Sequence, residues 1–339
     1  LHMGSLKVPF FDTATLHYGD PLAEAQSCRQ SSALFDFSFL AIAEVSGAGA
    51  IAALSQMSSR VIAALPVGRI YYGVRRNPDR TLAADLTIWR LDIDRFWLMS
   101  GRRQDVADLC GGHRIACSDL TDDTAVFALQ GPDSATLLTS LTDHDAFERL
   151  AYFSHMPVSL FDIPCTVGRL GYTGEIGYEL VTQAQYARDL WQRLSPLTTM
   201  AGFAAANILR IEAGFLLFTH EFSVPVRAGE VGLAKLVGPD EEAPRVRLCC
   251  FTASARSDFD FWLPAAELSL PDAAGTICVT SAAYSPIARS ILGLGYVSAG
   301  DNLQSTIVDP RHEFYDITIV SLPYYDPVKK IPRRVLTEL

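Results

Sequence analysis

The spacing of apolar residues changes along the chain, and each spacing predicts a different element. Apolar residues at every second position predict strands, because successive side chains of a strand point to opposite faces. This alternation occurs in residues 69–75, 83–91 and 95–100. The stretch before them, residues 48–65, is rich in Ala, Ile and Leu and predicts a packed helix. A further strand is expected over residues 37–46.

Capping residues mark the ends of several helices. Asp20 followed by Pro21 is typical of an N-cap with proline at the first helical position, so a helix is expected from Pro21 to about Ser31. Three further helices are expected to begin at residues 131–133, to span residues 183–194, and to span residues 204–213 before Gly214.

A change of composition separates the last third of the chain. Residues 237–244 are acidic and contain two prolines, which is typical of a linker. Strands are expected after it near residues 246–253, 276–281, 291–297 and 315–321. Several short strands with turns between them predict a small antiparallel β-barrel. The fold class expected for the whole chain is therefore α+β.

Composition limits the kind of protein this is. The chain has 339 residues, 49% of them hydrophobic, which is enough for two or three packed units. No stretch approaches the roughly 20 apolar residues of a membrane span, and the N-terminus lacks the pattern of a signal peptide. We therefore expect a cytoplasmic protein without a membrane partner.

Charge and cysteine usage exclude other classes. A formal net charge of −10 opposes a broad phosphate-binding surface, so nucleic acid is not expected as a partner. The seven cysteines are scattered without CxxC spacing, and the seven histidines are dispersed as well. This pattern predicts reduced, buried cysteines and no metal site.

The most informative segment is residues 169–180, RLGYTGEIGYEL. Its glycines allow positive φ and close backbone approach, so a strand followed by a sharp turn is expected, with Glu175 at the bend. A carboxylate there can accept two parallel hydrogen bonds from an amino-pyrimidinone edge, which a pterin ring presents. The alternative is an ordinary glycine-rich hairpin with a solvated glutamate.

This segment resembles the GYTGE(x)G(F/Y)E signature of the glycine cleavage T-protein family, which comprises folate-dependent aminomethyltransferases and demethylases. Further segments resemble successive landmarks of that family in the same order. They are residues 33–36, 68–72, 84–90, 128–132, 209–214, 225–229, 279–286 and 325–327. The resemblance therefore covers nearly the whole chain and implies tetrahydrofolate as cofactor.

The resemblance also implies a three-domain cloverleaf around a central folate channel. By that analogy the first folate-binding domain comprises residues 8–48 and 118–237, with residues 49–117 inserted in it as an α/β domain. The β-barrel domain would comprise residues 246–339.

Asp85 is the catalytic residue that the resemblance implies. In the family this aspartate lies near N5 of tetrahydrofolate, where it could deprotonate or orient that nitrogen and stabilise a cationic one-carbon unit. Asp85 begins an otherwise apolar strand, so its carboxylate is expected at the edge of a largely dry cavity. The alternative is a strand-start aspartate that caps a turn.

The same resemblance implies cofactor contacts at Glu175, Arg210, Tyr72 and Tyr172. The arginine would hydrogen-bond the folate, and Tyr72 would pack along its p-aminobenzoyl ring. Each has a structural alternative: Arg210 could pair with Glu212, Glu175 or Glu179, and a strand tyrosine is most often core.

Three motifs depart from the aminomethyltransferase pattern. The first aspartate of the family's Asp-Asp pair is Ala84, the family's Asn-Ala is Ser100-Gly101, and the His-Met of its Ser-His-Met motif is Phe39-Leu40. Leu40 and Ser100 are still expected beside the cofactor. With these departures, the chain is more similar to the folate domains of dimethylglycine and sarcosine dehydrogenases.

The resulting hypothesis is a tetrahydrofolate-dependent transferase that moves a methyl or aminomethyl group from an N-, S- or O-linked small-molecule donor to N5. A lipoyl carrier protein or a separate oxidoreductase is the partner this implies. One alternative is the aminomethyltransferase of the glycine cleavage system. A second is a non-catalytic folate-binding paralogue, which product formation would distinguish from an enzyme.

Overall fold

The computed structural model describes residues 14–112, 115–142, 146–238, 242–259, 261–265 and 267–335. The α-helices are α1 (Pro21–Gln30), α2 (Ala50–Met57), α3 (Arg103–Gly112), α4 (Ser134–Ser140), α5 (Ala146–Arg149), α6 (Ala184–Leu194), α7 (Phe203–Glu212), α8 (Phe218–Glu221) and α9 (Ala234–Val237).

The strands form three sheets with mixed connections. They are β1 (Ala33–Asp36), β2 (Ala41–Ser46), β3 (Ile70–Arg76), β4 (Leu82–Asp92), β5 (Arg95–Ser100), β6 (Ala116–Asp119), β7 (Thr124–Gln130), β8 (His155–Leu160), β9 (Ile163–Gly168), β10 (Gly177–Gln183), β11 (Thr199–Ala201), β12 (Val246–Ala255), β13 (Ile277–Ser285), β14 (Ser290–Ser298) and β15 (Phe314–Val320). Helices and strands both occur through the first two thirds of the chain, so the mixed α and β composition expected from the sequence is confirmed.

Two expected elements have different bounds. The strand expected over residues 37–46 is interrupted, because the N–H of Leu40 donates to the carbonyl of Phe37 at 3.0 Å and closes a turn before β2. The helix expected over residues 48–65 ends at Met57, and the polar Ser58 follows in extended conformation. Apolar composition alone did not locate this break.

The chain divides into two compact units. The first comprises Leu1–Arg75, Ala84–Ala206 and Lys329–Leu339, and the second comprises Arg76–Ala83 and Asn207–Val328.

A six-stranded sheet in the first unit has the strand order β11-β1-β7-β10-β9-β8. One of its faces is covered by α4 and α6, whose apolar residues pack with those of the strands. Residues 329–335, called the tail, also lie on this unit, where Ile331 packs against the same apolar cluster. The buried guanidinium of Arg169 fixes the tail by donating to the carbonyl of Arg334.

A five-stranded sheet, also in the first unit, has the order β3-β4-β5-β2-β6. Apolar residues on one face of β2, β4 and β5 pack against α2 and α3. Because side chains alternate along a strand, the intervening residues of β4, including Asp85 and Trp89, lie on the opposite face.

The two sheets of the first unit meet at Trp89. Its indole ring stacks on the imidazole of His155 with the ring centroids 5.5 Å apart. The ring also lies directly over Gly168 of β9, so closely that a Cβ at this position would overlap it. The free face of the five-stranded sheet is thus turned toward the six-stranded sheet.

The second unit contains an antiparallel sheet with the order β13-β14-β12-β15. Its edges are β13 and β15, and the described residues between β12 and β13 supply no further strand that could join them. The expected closed barrel is therefore not found among the described residues. Short strands with turns between them were predicted here, but that pattern carries no information about closure.

Cysteine pairing also differs from expectation. Cys110 at the end of α3 and Cys117 in β6 form a disulfide, with their Cα atoms 5.2 Å apart, a separation that suits such a bond. The expected reduced state is therefore wrong for this pair. The free cysteines that the structure describes are all buried: Cys28, Cys165, Cys249, Cys250 and Cys278.

No helix in the described part of the chain combines the length and the apolar character needed to cross a membrane.

Replacing Gly168 by alanine should destabilise the protein by about 1–3 kcal/mol, because the added methyl would push Trp89 away from β9. Denaturant unfolding measures this difference. Gly111→Ala is the matched control, since a Cβ there meets nothing within 4 Å. Equal free energies of unfolding for Gly168→Ala and the wild type would contradict the close contact.

Candidate functional site

Residues 169–180, the glycine-rich segment, fold around the side chain of Gln130. This buried residue ends β7, where it lies opposite Gly177 in the sheet register. Its Oε1 accepts a hydrogen bond from the hydroxyl of Thr173 at 3.0 Å, and its amide nitrogen donates to the carbonyl of Leu170 at 3.3 Å. The turn at residues 171–176 is thus shaped by a side chain from another strand.

An ion pair anchors the middle of the same segment. Nη1 of Arg29, on α1, lies 2.8 Å from Oε1 of Glu175, and both side chains are almost fully buried. The same nitrogen donates to the carbonyl of Thr173 at 2.8 Å. Glu175 is 4% exposed, so the solvated glutamate of the alternative interpretation is not what the structure contains. Direct contact of Glu175 with folate stays a prediction.

Register places three of the predicted site residues at one end of the five-stranded sheet. Ser100 of β5 pairs with Ala41 of β2 on one side and with Leu86 of β4 on the other. Leu40 and Asp85, each one residue before those partners, therefore lie at the same end of the sheet.

Asp85 forms a group with two tyrosines in the first unit. The Tyr72 hydroxyl, on the neighbouring strand β3, lies 3.3 Å from Oδ2 of Asp85, a long hydrogen bond. Both residues are half-buried, as is Tyr172, which follows β9. Each side chain thus keeps some accessible surface, as residues that line a cavity do.

The surroundings of Tyr72 keep its hydroxyl protonated. Burial raises the pKa of Tyr72 well above its ordinary value, and the neighbouring Asp85 and Tyr172 raise it further. The phenol therefore remains a hydrogen-bond donor at neutral pH. A protonated donor beside a carboxylate can orient that carboxylate toward a third group.

Glu179 is a second carboxyl group, on the face of the six-stranded sheet that is turned toward the five-stranded sheet. It lies in β10 opposite Gly168, the residue over which Trp89 packs, and it is 8% exposed. Burial raises the pKa of Glu179 to about 7. Such a group can exchange a proton near neutral pH, which a surface glutamate cannot do.

Ser100 and Leu40 have different surroundings. Ser100 is buried, and its hydroxyl donates to Oδ2 of Asp105 at 2.6 Å while it accepts from the N–H of Arg102. Leu40 is half-buried in the turn before β2. Contact of either residue with a cofactor stays a prediction.

Arg210 belongs to the second unit, where it is completely buried. Its Nη1 lies 2.8 Å from a carboxylate oxygen of Glu221, and its other nitrogens donate to Asn207 and Ser281. This is an intramolecular pair, although with Glu221 rather than with the glutamates considered above. Direct contact of Arg210 with folate stays a prediction.

The described residues contain no group of three or more His, Cys, Asp or Glu side chains that could hold a metal ion. The candidate site in the first unit is the group of Tyr72, Asp85 and Tyr172, with the buried Glu179 on the other sheet. This arrangement can bind a flat, partly polar ring, accept hydrogen bonds from its N–H groups, and accept or release a proton.

Sequence reasoning missed the residues that hold the glycine-rich segment. Arg29 and Gln130 are far from it along the chain, at separations of 146 and 43 residues from their partners Glu175 and Thr173. A signal was present for Gln130, which lies inside the segment 128–132 that resembles a family landmark. Glu179 was considered only in a structural role, as a possible partner of Arg210, and its raised pKa follows from burial that the structure shows.

Comparison with known proteins places these observations in a family. The model of the family described as GCVT N-terminal domain matches residues 10–241. The aminomethyltransferase of Streptomyces avermitilis is 31% identical over 340 residues, covering 91% of each chain. A probable aminomethyltransferase of Natronomonas pharaonis is 31% identical over 336 residues, covering 89% of this chain and 90% of the relative.

The fold has a solved counterpart. The crystal structure of glycine cleavage system aminomethyltransferase T from Bartonella henselae superimposes with a TM-score of 0.76, covering 93% of this chain and 92% of that one. The two sequences are 22% identical, so this likeness shows the shared fold alone.

The raised pKa of Glu179 predicts how stability depends on pH. Because its folded pKa of about 7 exceeds the ordinary 4.5, its contribution is fully present below about pH 4.5 and is lost as the pH rises through 7. Glu179→Gln stays neutral at every pH. The variant should therefore gain about 3 kcal/mol relative to wild type between about pH 5 and about pH 8.

Denaturant unfolding of both proteins at the two pH values measures this gain. Glu267→Gln, at an exposed position, is the control and should show no such gain. A difference between Glu179→Gln and wild type that stays the same at both pH values would mean that Glu179 titrates normally.

Proposed function

The chain belongs to the glycine cleavage T-protein family, and from this membership we propose that it transfers an aminomethyl-derived one-carbon unit to tetrahydrofolate. It is an enzyme of the folate-dependent aminomethyltransferase type, and tetrahydrofolate is the cofactor of its family. The observation that carries the proposal is the group formed by Tyr72, Asp85 and Tyr172 at the end of the five-stranded sheet.

The residues of this group fit a reduced pterin. Half-buried Tyr72 and Tyr172 offer flat apolar surfaces for a ring, and the carboxyl groups of Asp85 and Glu179 can accept hydrogen bonds from ring N–H groups. Bound tetrahydrofolate would supply N5 as the acceptor of the one-carbon unit.

We assign the catalytic role to Asp85. Its carboxylate would orient the acceptor nitrogen, take its proton and stabilise positive charge that develops at the reacting carbon. The protonated hydroxyl of Tyr72, 3.3 Å from Oδ2 of Asp85, would help to orient this carboxylate. Much of the rate would come from holding the donor carbon at attack distance from the acceptor nitrogen, since orientation supplies effective molarities of about 10⁵ M or more.

The other predicted cofactor residues complete the proposal. Glu175 would accept hydrogen bonds from the pterin edge, and Leu40 and Ser100 would contribute the adjacent wall. Arg210 would contact the folate. The three-domain cloverleaf, with domains at 8–48 plus 118–237, 49–117 and 246–339, is proposed on the same family resemblance.

The donor we propose is an aminomethyl group carried on a lipoyl protein, because the relatives that cover nine-tenths of this chain are named aminomethyltransferases. Transfer of its carbon would release ammonia and the reduced lipoyl dithiol. A second candidate is transfer of a methyl group from a small N-, S- or O-linked donor. It is favoured by Ala84, which replaces the first aspartate of the family pair.

The products distinguish these functions. We expect the purified enzyme, with tetrahydrofolate and an aminomethyl-loaded lipoyl protein, to release ammonia and form 5,10-methylenetetrahydrofolate. Formation of 5-methyltetrahydrofolate from methylated amines, sulfides or aryl ethers would support the second candidate instead. Tetrahydrofolate binding without any product would identify a non-catalytic folate-binding protein.

Asp85→Asn should leave the Kd for tetrahydrofolate within about three-fold of wild type and lower kcat by about 100-fold or more, because the amide cannot take a proton. Calorimetric titration and a turnover assay measure the two effects. Asp92→Asn, at the exposed far end of the same strand, is the matched control. Unchanged kcat in Asp85→Asn would remove its catalytic assignment.

Glu175→Ala should weaken tetrahydrofolate binding by about 2–3 kcal/mol, as expected for loss of a charge-assisted bidentate contact. The same calorimetric titration measures it, with the exposed Glu267→Ala as control. Wild-type affinity in a folded Glu175→Ala protein would exclude the pterin contact.

A further inference from the structure

The side chain of Gln130, at the end of β7, contacts the glycine-rich segment at several points. Its side chain has no exposed surface. Besides its bonds to Thr173 and Leu170, its amide nitrogen lies 3.5 Å from the carbonyl of Tyr178. One side chain thus contacts the beginning, middle and end of the segment.

The glycines of the segment make room for this amide. A Cβ at Gly171 or at Gly177 would overlap the amide group of Gln130. An amide held by several hydrogen bonds cannot simply rotate away from an added methyl. The two glycines and the glutamine are therefore one packing unit, and the path of residues 171–177 depends on it.

Tyr172 is placed by this unit. It lies between Gly171, which packs on the amide, and Thr173, whose hydroxyl donates to that amide. On the other side, Arg29 holds the carbonyl of Thr173. Tyr172 also raises the pKa of Tyr72, the hydrogen-bond partner of Asp85.

We propose that Gln130 is a positioning residue of the folate site, which acts by holding Tyr172 against the pair formed by Tyr72 and Asp85. Because Gln130 has no exposed surface, it would act without contacting folate itself. This inference rests on the proposed function, because it assigns Tyr172 a place in the folate pocket.

A double-mutant cycle tests the inference. Gln130→Met has nearly the same shape but lacks the amide donors and acceptor. It should weaken tetrahydrofolate binding by about ten-fold, measured by calorimetric titration. In the Tyr172→Ala background the same change should alter Kd by less than about two-fold, because residues that act through one another are not additive.

A purely structural role predicts another pattern. Thr182→Val is the matched control, since its buried hydroxyl donates to the carbonyl of Pro164 at 2.9 Å in the same sheet but does not touch the glycine-rich segment. It should lower the free energy of unfolding and leave the Kd unchanged. Equal weakening by Gln130→Met in both backgrounds, or weakening by Thr182→Val, would overturn the inference.

Two further results separate the inference from the proposed function. Absence of tetrahydrofolate binding by folded wild-type protein would overturn both, whereas additive effects with normal wild-type binding would overturn the inference alone. If Gln130→Met does not fold, Gln130→Glu keeps an acceptor for Thr173 and enters the same cycle. It should then show the same loss of effect in the Tyr172→Ala background.

Discussion

The close packing of Trp89 over Gly168 is the contact on which the first unit depends. Two sheets can approach there only because β9 carries no side chain at this point. The approach buries the face that carries Glu179 and removes water from around its carboxyl group. The chemistry of the site therefore follows from a packing constraint, because the same approach that completes the core also raises the pKa of Glu179.

The glycine-rich segment has a structural explanation as well as a chemical one. From the sequence alone, its glycines favour a flexible turn in which the carboxylate of Glu175 is free to bind a ligand. In the structure Gly171 and Gly177 instead accommodate Gln130, and Glu175 is paired with Arg29. The segment that identifies the family thus also serves the internal packing of the protein, beside the pterin contact proposed for Glu175.

Local patterns predicted the elements better than their assembly. Alternation located β3, β4 and β5 nearly to the residue, and the Asp20–Pro21 cap located the start of α1, where Asp20 accepts from the N–H of Leu22. The register that brings Leu40, Ser100 and Asp85 together could not be predicted, because it depends on pairing between strands distant in sequence. The same holds for the disulfide between Cys110 and Cys117, whose spacing matches no motif.

The return of the tail to the first unit has a consequence for biosynthesis. Residues 207–328 belong to the second unit, but Ile331 and Arg334 bind to apolar and polar groups of the first. During translation the first unit therefore cannot complete its packing until residues near 330 have left the ribosome. Until then Arg169 lacks its acceptor, the carbonyl of Arg334, so the first unit should complete its packing only after residues 207–328 of the second unit have been synthesised.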